Sequence, residues 1–136
     1  TFLGTEVVHV YRAIGTTVAP SRIATALAVL DLPAKASEAA SSESKASAPF
    51  VVTVARLGDV AFVGLGGEVL TEIGLAIKAG SPCKHTFIIT HCNGAAGYLA
   101  PAELHVEGGY EVRSSRFTPQ AADIVVRETL RMLYDL

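Results

Sequence analysis

The sequence has no run of about 20 apolar residues, so no segment is long enough to cross a bilayer as a helix. Only two cysteines are present, Cys83 and Cys92, too few for a disulfide framework, and they leave the redox compartment open. Basic residues are not in excess: 11 Lys and Arg face 13 Asp and Glu, a net charge of −2, and no nucleic-acid partner is suggested. Charge is scarce altogether at 18% while 50% of the residues are hydrophobic, which excludes a disordered tail. There is no signal-peptide pattern, no internal repeat, no Gly-x-Ser-x-Gly elbow and no convincing Ser-His-Asp set. The first residue is Thr rather than Met, so the chain is expected to be processed, cut or part of a longer product. What remains is 136 residues suited to one domain, which at this size buries roughly two thirds of the surface of its unfolded chain.

The pattern is organised around residues 51–68, VVTVARLGDVAFVGLGGE. A β-branched run over 50–55 and an apolar run over 60–63 flank the turn triplet Leu57-Gly58-Asp59, which predicts a hairpin over 50–64. The glycine cluster Gly64-Leu65-Gly66-Gly67 then leads to Glu68 and to a helical pattern over 68–79, with Leu70, Ile73 and Ile77 on one side, Gly80 as C-cap and Pro82 as stop. Upstream, Leu3, Val7, Val10 and Ile14 recur at helical spacing and predict an amphipathic helix over 2–16, ended by Gly15. Residues 23–32 read as a strand bounded by Pro33, with helix as the rival because of three alanines. In the stretch 33–49, eleven of seventeen residues are Ala or Ser and none is a large apolar residue, so it is expected to be an exposed connection. Downstream, 85–90 reads as a strand and 92–112, dense in Gly, as a long loop of functional character. Thr118 as N-cap and Pro119 as first helical residue predict a final helix to about 134, with Ile124, Val125, Leu130 and Leu133 buried. This order predicts an α/β (α+β layered) domain, a mixed sheet with helices packed on it.

Glu68 is the only acid in the predicted strand-to-helix turn. Its carboxylate either complements the helix dipole or uses it to stay ionised, as a metal ligand must, and both roles stay open at this point. A dinucleotide fingerprint fails in detail: Val69 stands where G-x-G-x-x-G needs its third glycine, and Glu68 sets negative charge where a pyrophosphate would bind. Cys83, His85, His91 and Cys92 invite a zinc reading, but His91 lies six residues beyond His85, roughly 20 Å along an extended strand. A sharp bend at Thr90 could join His91 to Cys92 but not gather all four. His9 reads as a partly exposed helical histidine. Tyr98 and Tyr110 share the glycine-rich loop with His105 and Glu107, either as packing anchors or as phenols presented to a site.

The segments V-A-R-L-G-D-V-A-F-V-G-L-G-G-E, T-F-I-I-T-H-C-N-G-A-A-G-Y-L and E-G-G-Y-E, in this order and spacing, resemble the neutral (alkaline, non-lysosomal) ceramidase family. The resemblance covers about 50–136 well and 1–32 more weakly, and it falls on the C-terminal part of that family's catalytic domain. Members are zinc amidohydrolases that cleave the amide of N-acylsphingosines. The resemblance implies that Glu68 ligates zinc, that Tyr98 completes the metal's shell and that Tyr110 contacts the reacting group. In such chemistry zinc polarises the amide carbonyl and lowers the pKa of bound water, while a phenol can donate to the developing oxyanion. The family's proline before Gly-Glu is Gly66 here, and the segment from Glu68 to Tyr98 is shorter. The family's histidine ligands and active-site serine lie upstream and have no counterpart in this chain.

The resemblance therefore implies part of a larger catalytic domain, partnered by the upstream part of the same enzyme and acting on a lipid amide. Alone, the chain is expected to be inactive and to bind zinc weakly, because a catalytic zinc takes three protein ligands and only Glu68 and Tyr98 are available. His91, His105 and Cys92 are read as lacking the supporting contacts that fix a ligand. Missing neighbouring structure is expected to leave apolar surface exposed and to favour self-association. The competing reading is a non-catalytic structural or interaction domain that keeps the fold without the metal.

Overall fold

The structure is a computed structural model and describes residues 2–17, 19, 22–36 and 46–136. The elements run α1 (Phe2–Ala13), β1 (Ile23–Pro33), β2 (Ser47–Leu57), β3 (Val60–Leu65), β4 (Glu68–Val69), α2 (Thr71–Gly80), β5 (His85–Ile89), β6 (Tyr98–Leu99), α3 (Ala102–Glu107), α4 (Tyr110–Ser114) and α5 (Ala121–Asp135). Two runs of alternating apolar residues, joined by a two-residue turn, make β2 and β3 an antiparallel hairpin. Gly58 supplies the turn's positive φ of 58°, which a side chain would disfavour. β1 pairs antiparallel with β2 on one side, and β5 pairs parallel with β3 on the other, giving the mixed order β1-β2-β3-β5. The predicted α/β architecture is thus observed.

Alternation also decides where the core lies. Ala48, Phe50, Val52 and Val54 of β2, with Ala61, Val63 and Leu65 of β3, point to one side and are buried. α5 and α2 cover that side with Val125, Leu133, Ile73 and Ile77. The rings of Phe50 and Phe117 meet edge to face at 5.9 Å. On the other side Leu27, Val29, Phe62 and Phe87 are exposed among the described residues.

Five expectations need correction. The helix over 2–16 forms, but no residue of α1 is buried; the sheet's inner face is already taken by α2 and α5, so its apolar stripe has no partner there. Helix two begins at Thr71 rather than at Glu68, because the amides of Glu68 and Leu70 donate to the carbonyls of Gly97 and Leu99 and keep the chain extended. The glycine-rich stretch 92–112 is not all loop. A good helix-forming run between Pro101 and Gly108 makes α3, and the positive φ angles of Gly108 and Gly109 turn the chain into α4. The last helix begins at Ala121, since the Thr118 N–H donates a hydrogen bond to the Pro33 carbonyl and its hydroxyl does not cap. The connection expected over 33–49 is also narrower: Pro33 ends β1, Ser47 opens β2, and Ala48 is buried. Its centre, 37–45, lies outside the described residues.

Candidate functional site

β3 and β5 are adjacent and parallel, so the chain leaves both at the same end of the sheet. Crevices at the carboxyl ends of parallel strands are where α/β folds place ligands. Here the segment after β3 carries Glu68 and the segment after β5 carries His91 and then Tyr98. Backbone hydrogen bonds lace the two together: His91 N–H to Gly67 O at 3.0 Å, Cys92 N–H to Leu65 O at 3.0 Å, Ala96 N–H to Gly66 O at 2.8 Å and Glu68 N–H to Gly97 O at 2.9 Å. The Asn93 side chain adds a 3.0 Å bond to Thr53 Oγ1 of β2. Glu68 and Val69 then pair in parallel register with Tyr98 and Leu99.

This close approach explains the glycines. A Cβ on Gly67 would lie 2.6 Å from the Gly97 carbonyl and 2.9 Å from the Phe50 ring, and one on Gly94 would lie 2.9 Å from the Gly66 carbonyl. The Gly66 amide is already bonded to the Val51 carbonyl at 2.8 Å. The cluster therefore lets the two backbone segments approach closely.

At the crevice mouth the Glu68 carboxylate stands 3.6 Å from His91 Nε2, and both side chains are about half exposed. Tyr98 lies beside Glu68, and its ring meets that of Tyr110 edge to face at 5.9 Å. Partial desolvation, then the charge and hydrogen bonding of Glu68, then Tyr110 and Glu111, hold the Tyr98 phenol above the ordinary tyrosine range. An open cavity of about 330 Å³ is lined by Glu68, Val69, Leu70, Thr71, Glu72, Tyr98 and Glu111. Tyr110 does not line it but backs Tyr98. Behind the phenol, buried Ser115 donates through Oγ to the Tyr98 carbonyl at 2.8 Å and accepts from Phe117 N–H at 3.2 Å.

The three residues singled out from sequence, Glu68, Tyr98 and Tyr110, are thus neighbours. The Cys83, His85, His91 and Cys92 set does not gather: Cys83 is buried, His85 is exposed at the start of β5, and Cys92 packs its sulfur against Gly64. Among the described residues no three His, Cys, Asp or Glu side chains cluster as a metal site. Sequence reasoning missed His91 as a neighbour of Glu68, and Ser115 and Glu111 altogether. The signal for His91 was its place just after β5, once that strand is paired in parallel with β3.

No family model matches the chain, and no curated protein does. Solved structures that share its fold include a ceramidase complexed with C2 and the neutral ceramidase of Pseudomonas aeruginosa. Each matches with a TM-score of 0.56 and 20% identity over 61% of this chain. The match spans only 14% of either ceramidase chain. The chain has the fold of one part of a neutral ceramidase.

Proposed function

We propose that this chain is the C-terminal part of the catalytic domain of a zinc-dependent amidohydrolase of the neutral ceramidase type, a single unit over 1–136. The observation that carries the reading is the direct pairing of Glu68 with Tyr98 at the carboxyl ends of parallel strands, with Tyr110 packed on Tyr98. The donor chemistry fits zinc: a carboxylate beside an imidazole nitrogen, with a phenol next to them, is a set of oxygen and nitrogen ligands at an accessible edge. Glu68 and Tyr98 would hold the ion, and when bound it supplies Lewis-acid polarisation of an amide carbonyl. The chain's own groups do the positioning. The strand pairing fixes Glu68 against Tyr98, and Ser115 fixes the backbone that carries Tyr98. Partial desolvation, and then the Glu68 carboxylate, favour the protonated phenol of Tyr98, and a nearby cation would oppose that effect. Tyr110, packed edge to face on the Tyr98 ring, is the residue proposed to contact the reacting group of a lipid amide.

The rest of such an enzyme has a surface to pack on. Leu27, Val29, Phe62, Phe87 and Ile89 are exposed on the uncovered side of the sheet. That same observation favours the second reading, a structural or interaction domain of this fold that carries no metal. The two separate in the complete gene product. Glu68→Gln is expected to remove bound zinc, measured by elemental analysis, together with hydrolysis of an N-acylsphingosine. Zinc kept at the wild-type level in that variant overturns the ligand role of Glu68.

A further inference from the structure

His91 sits on backbone of positive φ, 53°, a conformation unfavourable for a residue with a Cβ and seldom adopted outside Gly, Asn, Asp and His. What holds it there is the turn that carries Glu68: the His91 amide donates to the Gly67 carbonyl, and the Cys92 amide to the Leu65 carbonyl. Two residues on, Asn93 repeats the positive φ at 59° and is tied by its side chain to Thr53. The imidazole is therefore delivered to the carboxylate by a fixed backbone. The 3.6 Å between His91 Nε2 and Glu68 Oε2 is too long for a good hydrogen bond. Two donors bound at about 2.0–2.2 Å to one tetrahedral ion stand about 3.4 Å apart, so the observed spacing suits two ligands of one ion.

We infer that His91 is a third metal donor beside Glu68 and Tyr98, so that this chain by itself presents a carboxylate, imidazole and phenol site for zinc or a similar divalent cation. The inference rests on the reading of Glu68 and Tyr98 as ligands. It replaces the ligand count drawn from sequence, which left the chain one donor short. The support that the sequence did not reveal for His91 is backbone hydrogen bonding rather than a side-chain contact. The site mixes nitrogen and oxygen donors without thiolate, since the Cys92 sulfur is spent against Gly64. Such a set suits zinc and also cobalt(II), which gives a visible spectrum sensitive to its ligands.

The test titrates the metal-free 136-residue protein with cobalt(II), followed by absorption, and with zinc, followed by calorimetry. The wild type is expected to take one ion per chain. His91→Asn keeps a residue that tolerates positive φ but removes the imidazole. It is expected to weaken binding about a hundredfold or more, since even outer partners of a ligand are worth about 10–100-fold, and to change the cobalt spectrum. His85→Asn, at an exposed histidine away from the crevice, is expected to bind as the wild type does. Circular dichroism checks folding, and His91→Gly replaces His91→Asn if that variant does not fold. Wild-type affinity and spectrum in a folded His91 variant overturn the inference. If Glu68→Gln and Tyr98→Phe lose the ion while the His91 variant keeps it, the inference falls and the reading of Glu68 and Tyr98 stands. If the wild type takes no ion, the inference falls, and the reading of Glu68 and Tyr98 as ligands is decided by the Glu68→Gln variant of the complete gene product.

Discussion

Both faces of the four-stranded sheet carry large apolar residues, and they meet very different surroundings. On the inner face Phe50, Val52, Val54 and Val63 are fully buried beneath α2 and α5. On the outer face Leu27 is 61% exposed, Val29 60% and Phe87 53%, with Phe62 and Phe87 stacked at 5.3 Å. A sheet built to face water on one side alternates apolar with polar residues. This one sets Leu27, Val29, Phe62, Phe87 and Ile89 on its outer face among Thr25, Asp31, Thr53 and His85. The difference teaches that the inner face builds the core, while the outer face leaves large apolar side chains uncovered among the described residues. An exposed apolar stripe of Leu3, Val7 and Val10 on α1, continued by Ile14 just beyond it, repeats the contrast outside the sheet.

Matched truncations sharpen the comparison most. Phe50→Ala removes a buried ring from beside Phe117, and a loss of about 3–5 kcal/mol in denaturant unfolding is expected for such a cavity. Phe87→Ala removes a ring of the same size from the outer face, where a change of about 1 kcal/mol or less is expected. Equal losses at the two positions would mean that the outer face is structural in this chain after all.

A second pair asks whether the crevice end is as tightly set as the inner face. Gly67→Ala drives a methyl into the Gly97 carbonyl and the Phe50 ring, neither of which can retreat without breaking the pairing of Glu68 with Tyr98. A loss of about 1–3 kcal/mol is expected, as for other overpacked sites, with weakened metal binding alongside it. Gly15→Ala meets nothing within 4 Å and should leave the melting curve where it was. A harmless Gly67→Ala would show that the crevice backbone gives way easily.

The outer face can be tested by charge. Val29→Lys combined with Phe87→Lys places ammonium groups on exposed strand positions, and sedimentation velocity at rising concentration should show less self-association than in the wild type. The melting temperature should move far less than in Phe50→Ala. Unchanged association would locate the sticky surface elsewhere, with α1 the next place to look.

Much of this was legible in the residues themselves. The β2–β3 hairpin followed from alternation around Gly58-Asp59, and α2 and α5 followed from their apolar spacing. What stayed hidden depends on contacts between distant segments. Glu68 looked like the start of a helix because its amide partner, the Gly97 carbonyl, lies 29 positions on. His91 looked remote from every candidate because its spacing was measured along an extended strand, whereas the chain turns at Thr90 and His91. α3 and α4 were masked by the flanking glycines, which cap short helices as readily as they make loops. For α1 the periodicity was right, but a stripe of apolar residues names a face and not a partner.

The smallest effect expected lies on the solvent side of α5, the helix that covers the inner face. Glu128 accepts from Arg131 Nε at 2.9 Å and from Arg127 Nε at 3.3 Å, and these contacts hold its carboxyl below the ordinary range, the Arg131 hydrogen bond foremost. A folded-state pKa below the unfolded one means a contribution present above the unfolded pKa and lost as pH falls through the folded value. Glu128→Gln should therefore lower the melting temperature at neutral pH by only about 1–2 °C, exposed ion pairs being weak. The gap should close in acid, where both proteins are neutral at this position. Arg131 keeps Asp135 at 2.9 Å in the variant, which limits the loss further. Gln and Glu have nearly the same helix propensity, so a gap that persists in acid cannot come from backbone preference. It would instead trace to packing of the Glu128 stem, and the solvent side of α5 would then resemble its buried side more than this comparison allows.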